Sequence, residues 1–145
     1  MSILLIPFIW FLDRMTKDKA VDELSSREKE YIYKDKISLR LVYNKGAFLG
    51  LFKNRPIVLH LFTITALVTI LIMGLPYWLT GKERLSSVGL AMILGGALGN
   101  YTDRLTRGHV IDFIAFAPKH KLHYNIADFA IFIGAGLLVV NEFFK

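Results

Sequence analysis

Three carboxylates and two carboxamides crowd one part of this chain. Asp103, Asp112 and Asp128 stand with Asn100 and Asn125 in stretches that read GGALGNYTDRL, HVIDFIAF and YNIADFAIF. Each acid lies beside a long apolar run. A carboxylate in hydrocarbon is costly, so it is normally paired or turned towards a water-filled cavity, and it marks a functional site. Asp112 and Asp128 are the pair best suited to chemistry. Two acids that share a site cannot both ionise easily, and one keeps a proton. Such a pair can activate a water with one carboxylate and protonate a leaving amine with the other, with no covalent intermediate. The plain alternative is that each Asp caps a helix end or pairs with a loop arginine. Spacing alone leaves both readings standing.

The neighbouring polar residues divide in the same way. Asn125 and Asp128 are i, i+3 on one helix face, and Asn100, Asp103 and Arg104 are i, i+3 and i+4 at the end of another. They could hold a substrate backbone and orient the acids. They could equally cap: Asn125 as an N-cap, Asn100 on terminal carbonyls. Asp103 reads as a structural partner of Arg104, Arg107 or Lys17. His109, His120 and His123 with Asp112 raise the thought of a metal, but no HExxH or tight ligand spacing supports one, and no cofactor is implied. His60 reads as a partnered or interfacial residue. No GxSxG and no cysteine is present, which removes serine-hydrolase and thiol chemistry.

The elements that must position these groups are helices of membrane length. The chain has 145 residues, enough for one domain, with 54% hydrophobic and 21% charged residues. Pro56–Thr80 runs for 25 residues with no charge apart from His60. At about 1.5 Å per residue such a stretch crosses a bilayer. The pattern predicts four helices over roughly 3–24, 56–80, 85–102 and 125–144. Tyr31 to Lys34 and Ile37 to Tyr43 alternate apolar with polar, which predicts a small β-rich surface segment between the first two helices. Asn44 to Gly46 reads as a turn. Gly108 to Leu122 reads as a second surface segment broken at Pro118. The first apolar run lacks a basic start and a small-x-small cleavage site, so it reads as a retained helix rather than a cleaved signal. The expected class is an all-α, four-span membrane bundle in one domain over residues 1–145.

This alternation brings both polar segments, and with them the acids, to one membrane face. The net charge of +6 suits anionic lipid headgroups; nucleic acid is not expected, because the basic residues are scattered over loops. The polar segments, counted from Arg14 and from Arg104, hold 11 and 4 Lys plus Arg, against Lys82, Arg84 and Lys145 on the other side. By the positive-inside rule the acids would then face the cytoplasm.

GGALGNYTDRLTRGHVIDF followed by YNIADFAIFIGA closely resembles the lipoprotein signal peptidases (signal peptidase II), which are four-helix bacterial membrane aspartyl proteases. Asp13 to Lys17 is similar to that family's D-x-x-T-K, and Asn44 to Ala47 to its N-x-G-A. The resemblance covers almost the whole chain in the family's order. It implies cleavage of the signal peptide from a prolipoprotein bearing a diacylglyceryl-modified cysteine, in the bacterial cytoplasmic membrane. Both termini would be cytoplasmic and the active site near the outer leaflet, against the charge count. The resemblance implies Asp112 and Asp128 as catalytic acids. Asn44, Asn100, Arg104 and Asn125 would contact substrate or inhibitors of the globomycin type. Asp13, Lys17 and Asp103 would give structural support.

Three departures from the family pattern stand out. NKGAFLG places Phe48 one position early, Phe129 replaces the usual serine after NxAD, and the segment between helices one and two is unusually basic. The competing expectation is a non-catalytic or altered-substrate membrane paralogue that binds lipoprotein or lipid through the same fold.

Overall fold

In the computed structural model, residues 2–25, 30–33, 36–46, 52, 54–116 and 122–144 are described. A short 3-10 turn, Ser2–Leu4, leads into α1 (Leu5–Leu24). Then come β1 (Glu30–Tyr33), β2 (Ile37–Asn44), α2 (Pro56–Thr80), α3 (Arg84–Arg107), β3 (Val110–Phe116) and α4 (Ile126–Phe143).

α3 is the central helix, packed on α4, α1 and α2. Its small residues allow close approach. A Cβ on Gly89 would lie 2.8 Å from the Gly134 carbonyl oxygen, and one on Gly134 would lie 2.6 Å from that of Gly89. At the end away from the acids, polar groups tie the helices together. The hydroxyls of Ser2 and Ser87 bond to each other, Trp78 Nε1 donates to the Ser87 carbonyl at 2.9 Å, and Asn141 Nδ2 donates to Ser86 Oγ at 2.9 Å.

α2 and α4 are long and apolar enough to cross a membrane. α2 also turns its apolar side chains outwards, with Ile57 74% and Leu79 77% exposed. An apolar helix with so little of itself buried needs hydrocarbon around it.

Two expectations change. α3 runs on to Arg107 rather than stopping near Thr102. The charges of its last turn are paired, as Asp103 meets Arg107 at i, i+4, and basic residues suit a helix C-terminus. The helix stops at Gly108, whose φ of 74° is left-handed and whose N–H reaches the Arg104 carbonyl at 3.2 Å.

The sheet is also larger than one segment between α1 and α2. β3, from the connection after α3, joins it, giving the antiparallel order β1-β2-β3. Tyr124 bridges to Ile114 on the far edge of β3. β3 shows no polar–apolar alternation because both of its faces are covered: Val110, Ile111, Asp112, Phe113 and Ala115 are all buried. Ile111 and Phe113 pack against Ala20 and Leu24 at the end of α1. The two polar segments therefore meet in one sheet, at the end of α1 and α3 and the start of α4.

Candidate active site

Asp112 comes from the middle of β3 and Asp128 from the first turn of α4. Asn125 joins them. It is fully buried and is the N-cap of α4. Its Oδ1 accepts from the Asp128 N–H at 3.0 Å, and its own N–H donates to Asp128 Oδ2 at 3.1 Å, a reciprocal capping box. That geometry turns Nδ2 the other way. Nδ2 donates to Asp112 Oδ1 at 2.7 Å and also faces Asn100 Oδ1 at 3.0 Å and the Ile111 carbonyl at 3.2 Å. Two N–H bonds thus serve three acceptors.

Each acid has a second carboxamide donor. Asn44 Nδ2 donates to Asp112 Oδ2 at 3.1 Å. The β2–β3 register explains the contact: Asn44 faces Val110 and Val42 faces Asp112, so Asn44 and Asp112 are diagonal neighbours on one face. Gly46 N donates to Asn44 Oδ1 at 3.0 Å, an Asx turn that fixes which end of the amide faces the acid. Asn100 Nδ2, from the last part of α3, donates to Asp128 Oδ1 at 2.9 Å. Arg104, one turn on, donates to the Asn100 carbonyl at 3.3 Å and to the Gly46 carbonyl at 3.1 Å. Its buried Nε has no hydrogen-bond partner among the described residues.

Beneath the acids lies a buried ion cluster. Lys17 is 0% exposed. Its ammonium meets Asp13 Oδ2 at 2.6 Å and Asp103 Oδ2 at 3.0 Å, and donates to Asn100 Oδ1 at 3.0 Å. Asp13 Oδ1 accepts from Ala127 N at 2.9 Å, and Asp103 Oδ2 accepts from Ile111 N at 3.2 Å. Gly99 leaves the room that Asp13 needs: a Cβ there would lie 2.6 Å from Asp13 Oδ2. Asp103 also meets Arg107 Nε at 3.2 Å and Arg14 Nη1 at 3.8 Å.

Burial pushes the Asp112 carboxyl up to about 7, and the nearby charge of Asp128 adds to the shift; hydrogen bonds from Asn44 and Asn125 and the Lys17 charge oppose it. A carboxyl poised near neutrality can hold a proton and give it up, as acid–base chemistry requires.

The residues singled out in the sequence come together here, with some differences. Of the three partners expected for Asp103, Lys17 and Arg107 are present, whereas Arg104 bonds to backbone carbonyls instead. The Asn100 side chain bonds to Lys17, Asn125 and Asp128 rather than to helix-end carbonyls. Asn125 does cap its helix and also serves the acid pair. His109 packs edge-on against Tyr43, with centroids 4.7 Å apart, and His60 packs against Tyr101 at 5.9 Å. The Nδ1 of His60 is buried without a hydrogen-bond partner among the described residues. Phe129 packs against Phe116 and Tyr124. Residues 47–50 of NKGAFLG, with Pro118 and His120, lie outside the described residues. Sequence reading missed Arg14 and the backbone groups of Gly46, Ile111 and Ala127. Only Arg14 left a signal, through its i, i+4 spacing to Asp18, which it meets at 3.4 Å.

Fold and site define a largely helical membrane protein with a buried acid, Asp112, and a half-buried one, Asp128, linked by carboxamides, the kind of pair an aspartic hydrolase uses. The comparisons narrow this. The family profile described as Signal peptidase (SPase) II matches residues 5–144. The lipoprotein signal peptidase of Clostridium tetani (strain Massachusetts / E88) is 35% identical over 143 residues, covering 97% of this chain and 90% of the relative. That of Brevibacillus brevis (strain 47 / JCM 6285 / NBRC 100599) is 36% identical over 132 residues, covering 91% and 87%. A solved bacterial membrane enzyme shares the fold with a TM-score of 0.79 at 24% identity, covering 98% of this chain and 87% of that one. The chain belongs to the signal peptidase II family and is a membrane peptidase.

Proposed function

We propose that this chain cleaves the signal peptide from prolipoproteins carrying a diacylglyceryl-modified cysteine, with Asp112 and Asp128 as the catalytic acids of a single domain over residues 1–145. One observation carries the reading. A single carboxamide residue, Asn125, bonds to both acids, while Asn44 and Asn100 each supply one of them with a second donor. Helix caps alone would not need this convergence from two strands and two helices.

The two acids differ in their surroundings, and this divides the roles. Both oxygens of Asp128 take N–H donors, from Asn100 and from the Asn125 backbone, and its helix N-terminus favours negative charge. It serves as the base. Asp112, on a strand and raised to about 7, holds the proton. Asp128 removes a proton from water as the water oxygen attacks the scissile carbonyl carbon. The intermediate collapses as Asp112 gives its proton to the leaving amine and the carbon–nitrogen bond breaks. Proton transfer from Asp128 back to Asp112 restores the pair. Asn44 and Arg104 are half-buried and contact the substrate in this reading; Asn100 and Asn125 act on it through the acids.

In this reading all four helices cross the bacterial cytoplasmic membrane, with both termini in the cytoplasm and the acids near the outer leaflet. α1 and α3 have 20 and 24 residues, enough for a bilayer core of about 30 Å. Asp13, Lys17 and Asp103 at the site end are paired inside the protein. Membrane lipids surround the bundle, and inhibitors of the globomycin type compete with substrate. The direct test is incubation of the purified protein with a diacylated model prolipoprotein. Release of the signal peptide is expected, with none from Asp112→Asn or Asp128→Asn. Equal cleavage by either variant would refute the assignment.

A further inference from the structure

Lys17 is a fully buried cation that the proposed chemistry does not use. A buried ammonium is costly unless all its donors are matched, and this one has three acceptors for its three N–H bonds. Each acceptor leads to one of the two acids. Asp13 holds the N–H of Ala127, next to Asp128. Asp103 holds the N–H of Ile111, next to Asp112. Asn100 donates to Asp128 itself. Lys17 also settles which way the Asn100 amide points. An ammonium can only donate, so it draws Oδ1 towards itself and leaves Nδ2 facing Asp128. Asn100 Oδ1 is in turn one of the acceptors that face Asn125 Nδ2, the group that bonds to Asp112.

We propose that Lys17 is the positioning residue of the acid pair: its ammonium fixes the Asn100 amide and, through Asp13 and Asp103, the backbone beside each acid. This rests on the assignment of Asp112 and Asp128 above. The role is electrostatic as well. The charged groups around the pair are Asp13, Arg14 and Lys17 from α1, Asp103, Arg104 and Arg107 from α3, Asp112 from β3 and Asp128 from α4. The charge of Lys17 favours the ionised form of Asp112. Its loss raises the affinity of Asp112 for its proton and moves the pH profile of kcat to higher pH. A lysine that merely supports the fold would lower the amount of active protein and leave the profile where it was.

The test compares four proteins purified in detergent: the parent, Lys17→Met, a neutral variant combining Lys17→Met with Asp13→Asn and Asp103→Asn, and Asp112→Asn. Folded amount is read from thermal unfolding, and kcat and KM are read across pH on a diacylated model prolipoprotein. The neutral variant leaves no unpaired buried charge, so it covers the case in which Lys17→Met does not fold. The expected result is a fall in kcat of about a hundredfold or more per folded molecule in both Lys17 variants, KM within about threefold, and, in Lys17→Met, an upper pH limb displaced upwards. Parental kcat in either folded Lys17 variant, or an unmoved profile in folded Lys17→Met, would overturn the proposal. So would failure of both to fold, which would make Lys17 a purely structural residue. Asp112→Asn separates the two claims. If it is inactive, the Lys17 results stand alone; if it cleaves, the assignment of the acid pair falls and this proposal with it.

Discussion

Asn125 does two jobs that can be pulled apart. Its Oδ1 caps α4 and its Nδ2 supports Asp112. Asn125→Ala removes both. Loss of an N-cap costs about 1 kcal/mol. Leaving a buried acceptor without its N–H costs a further 2 kcal/mol or so. The whole effect on stability is then about 3 kcal/mol. Asn125→Ser separates the two contributions. A serine hydroxyl at this position caps α4 through the Asp128 N–H but is too short to reach Asp112. Ser therefore restores about 1 kcal/mol of stability over Ala by the same capping figure. It does nothing for the acid pair. If Nδ2 holds Asp112 for proton transfer, both variants lose about 2 kcal/mol of that support, which is roughly thirtyfold in kcat. Thermal unfolding in detergent and kcat on a diacylated prolipoprotein measure the two quantities on the same samples. A serine variant that recovers parental kcat along with its stability would reduce Asn125 to a cap and refute the reasoning.

The other consequences can be checked in parallel. Asp112→Asn and Asp128→Asn should each abolish turnover in protein that still folds, and the double variant should be no worse than either, because the pair acts as one unit; kcat on the single variants decides this. The kcat profile of the parent should be bell-shaped, with its upper limb near pH 7, where Asp112 loses its proton; a flat profile through this range would argue against Asp112 as the acid. Stability should show the same group. The folded protein binds the Asp112 proton more tightly than the unfolded chain, so this contribution falls as pH rises from 3.8 to about 7, and Asp112→Asn should remove that slope from the unfolding midpoint. A cysteine at Lys45 should react with an impermeant thiol reagent on intact cells and one at Lys82 should not; the chain has no other cysteine, and the reverse pattern would place the acids on the cytoplasmic side.

Much of this site could be read from local spacing, and the rest could not for reasons of distance. Asp13 and Lys17 are i, i+4 on one helix, and Asn125 and Asp128 fit a capping box. Both are short-range patterns that a helical period exposes. The Asn44–Asp112 contact spans 68 positions and depends on a diagonal across β2 and β3. No local period encodes that register. β3 itself was hidden because burial on both faces removes the alternation that marks a half-buried strand. The sequence places the end of α3 too early because the uncharged run stops at Thr102, and Asp103 fits inside the helix only once its partners Lys17 and Arg107 are known. The apolar runs of α2 and α4 were plain, since nothing but their own sequence decides them.

The two acids are chemically identical, so any difference between them must come from the elements that carry them. Asp128 is in the first turn of a helix, where unpaired backbone N–H groups and the macrodipole favour negative charge, and the capping box points one of those N–H groups at its carboxylate. Asp112 is on a strand covered on both faces, with no comparable dipole. Its donors are two carboxamides, and one of these is divided among three acceptors. In the proposed mechanism the charge of the pair thus rests on Asp128 and the proton on Asp112. A helix start placed beside a buried strand is enough to break the symmetry of the pair before any substrate arrives. The same argument explains why Asp128 stands at a helix start, where backbone N–H groups remain free to hold a carboxylate that the surrounding hydrocarbon would otherwise reject.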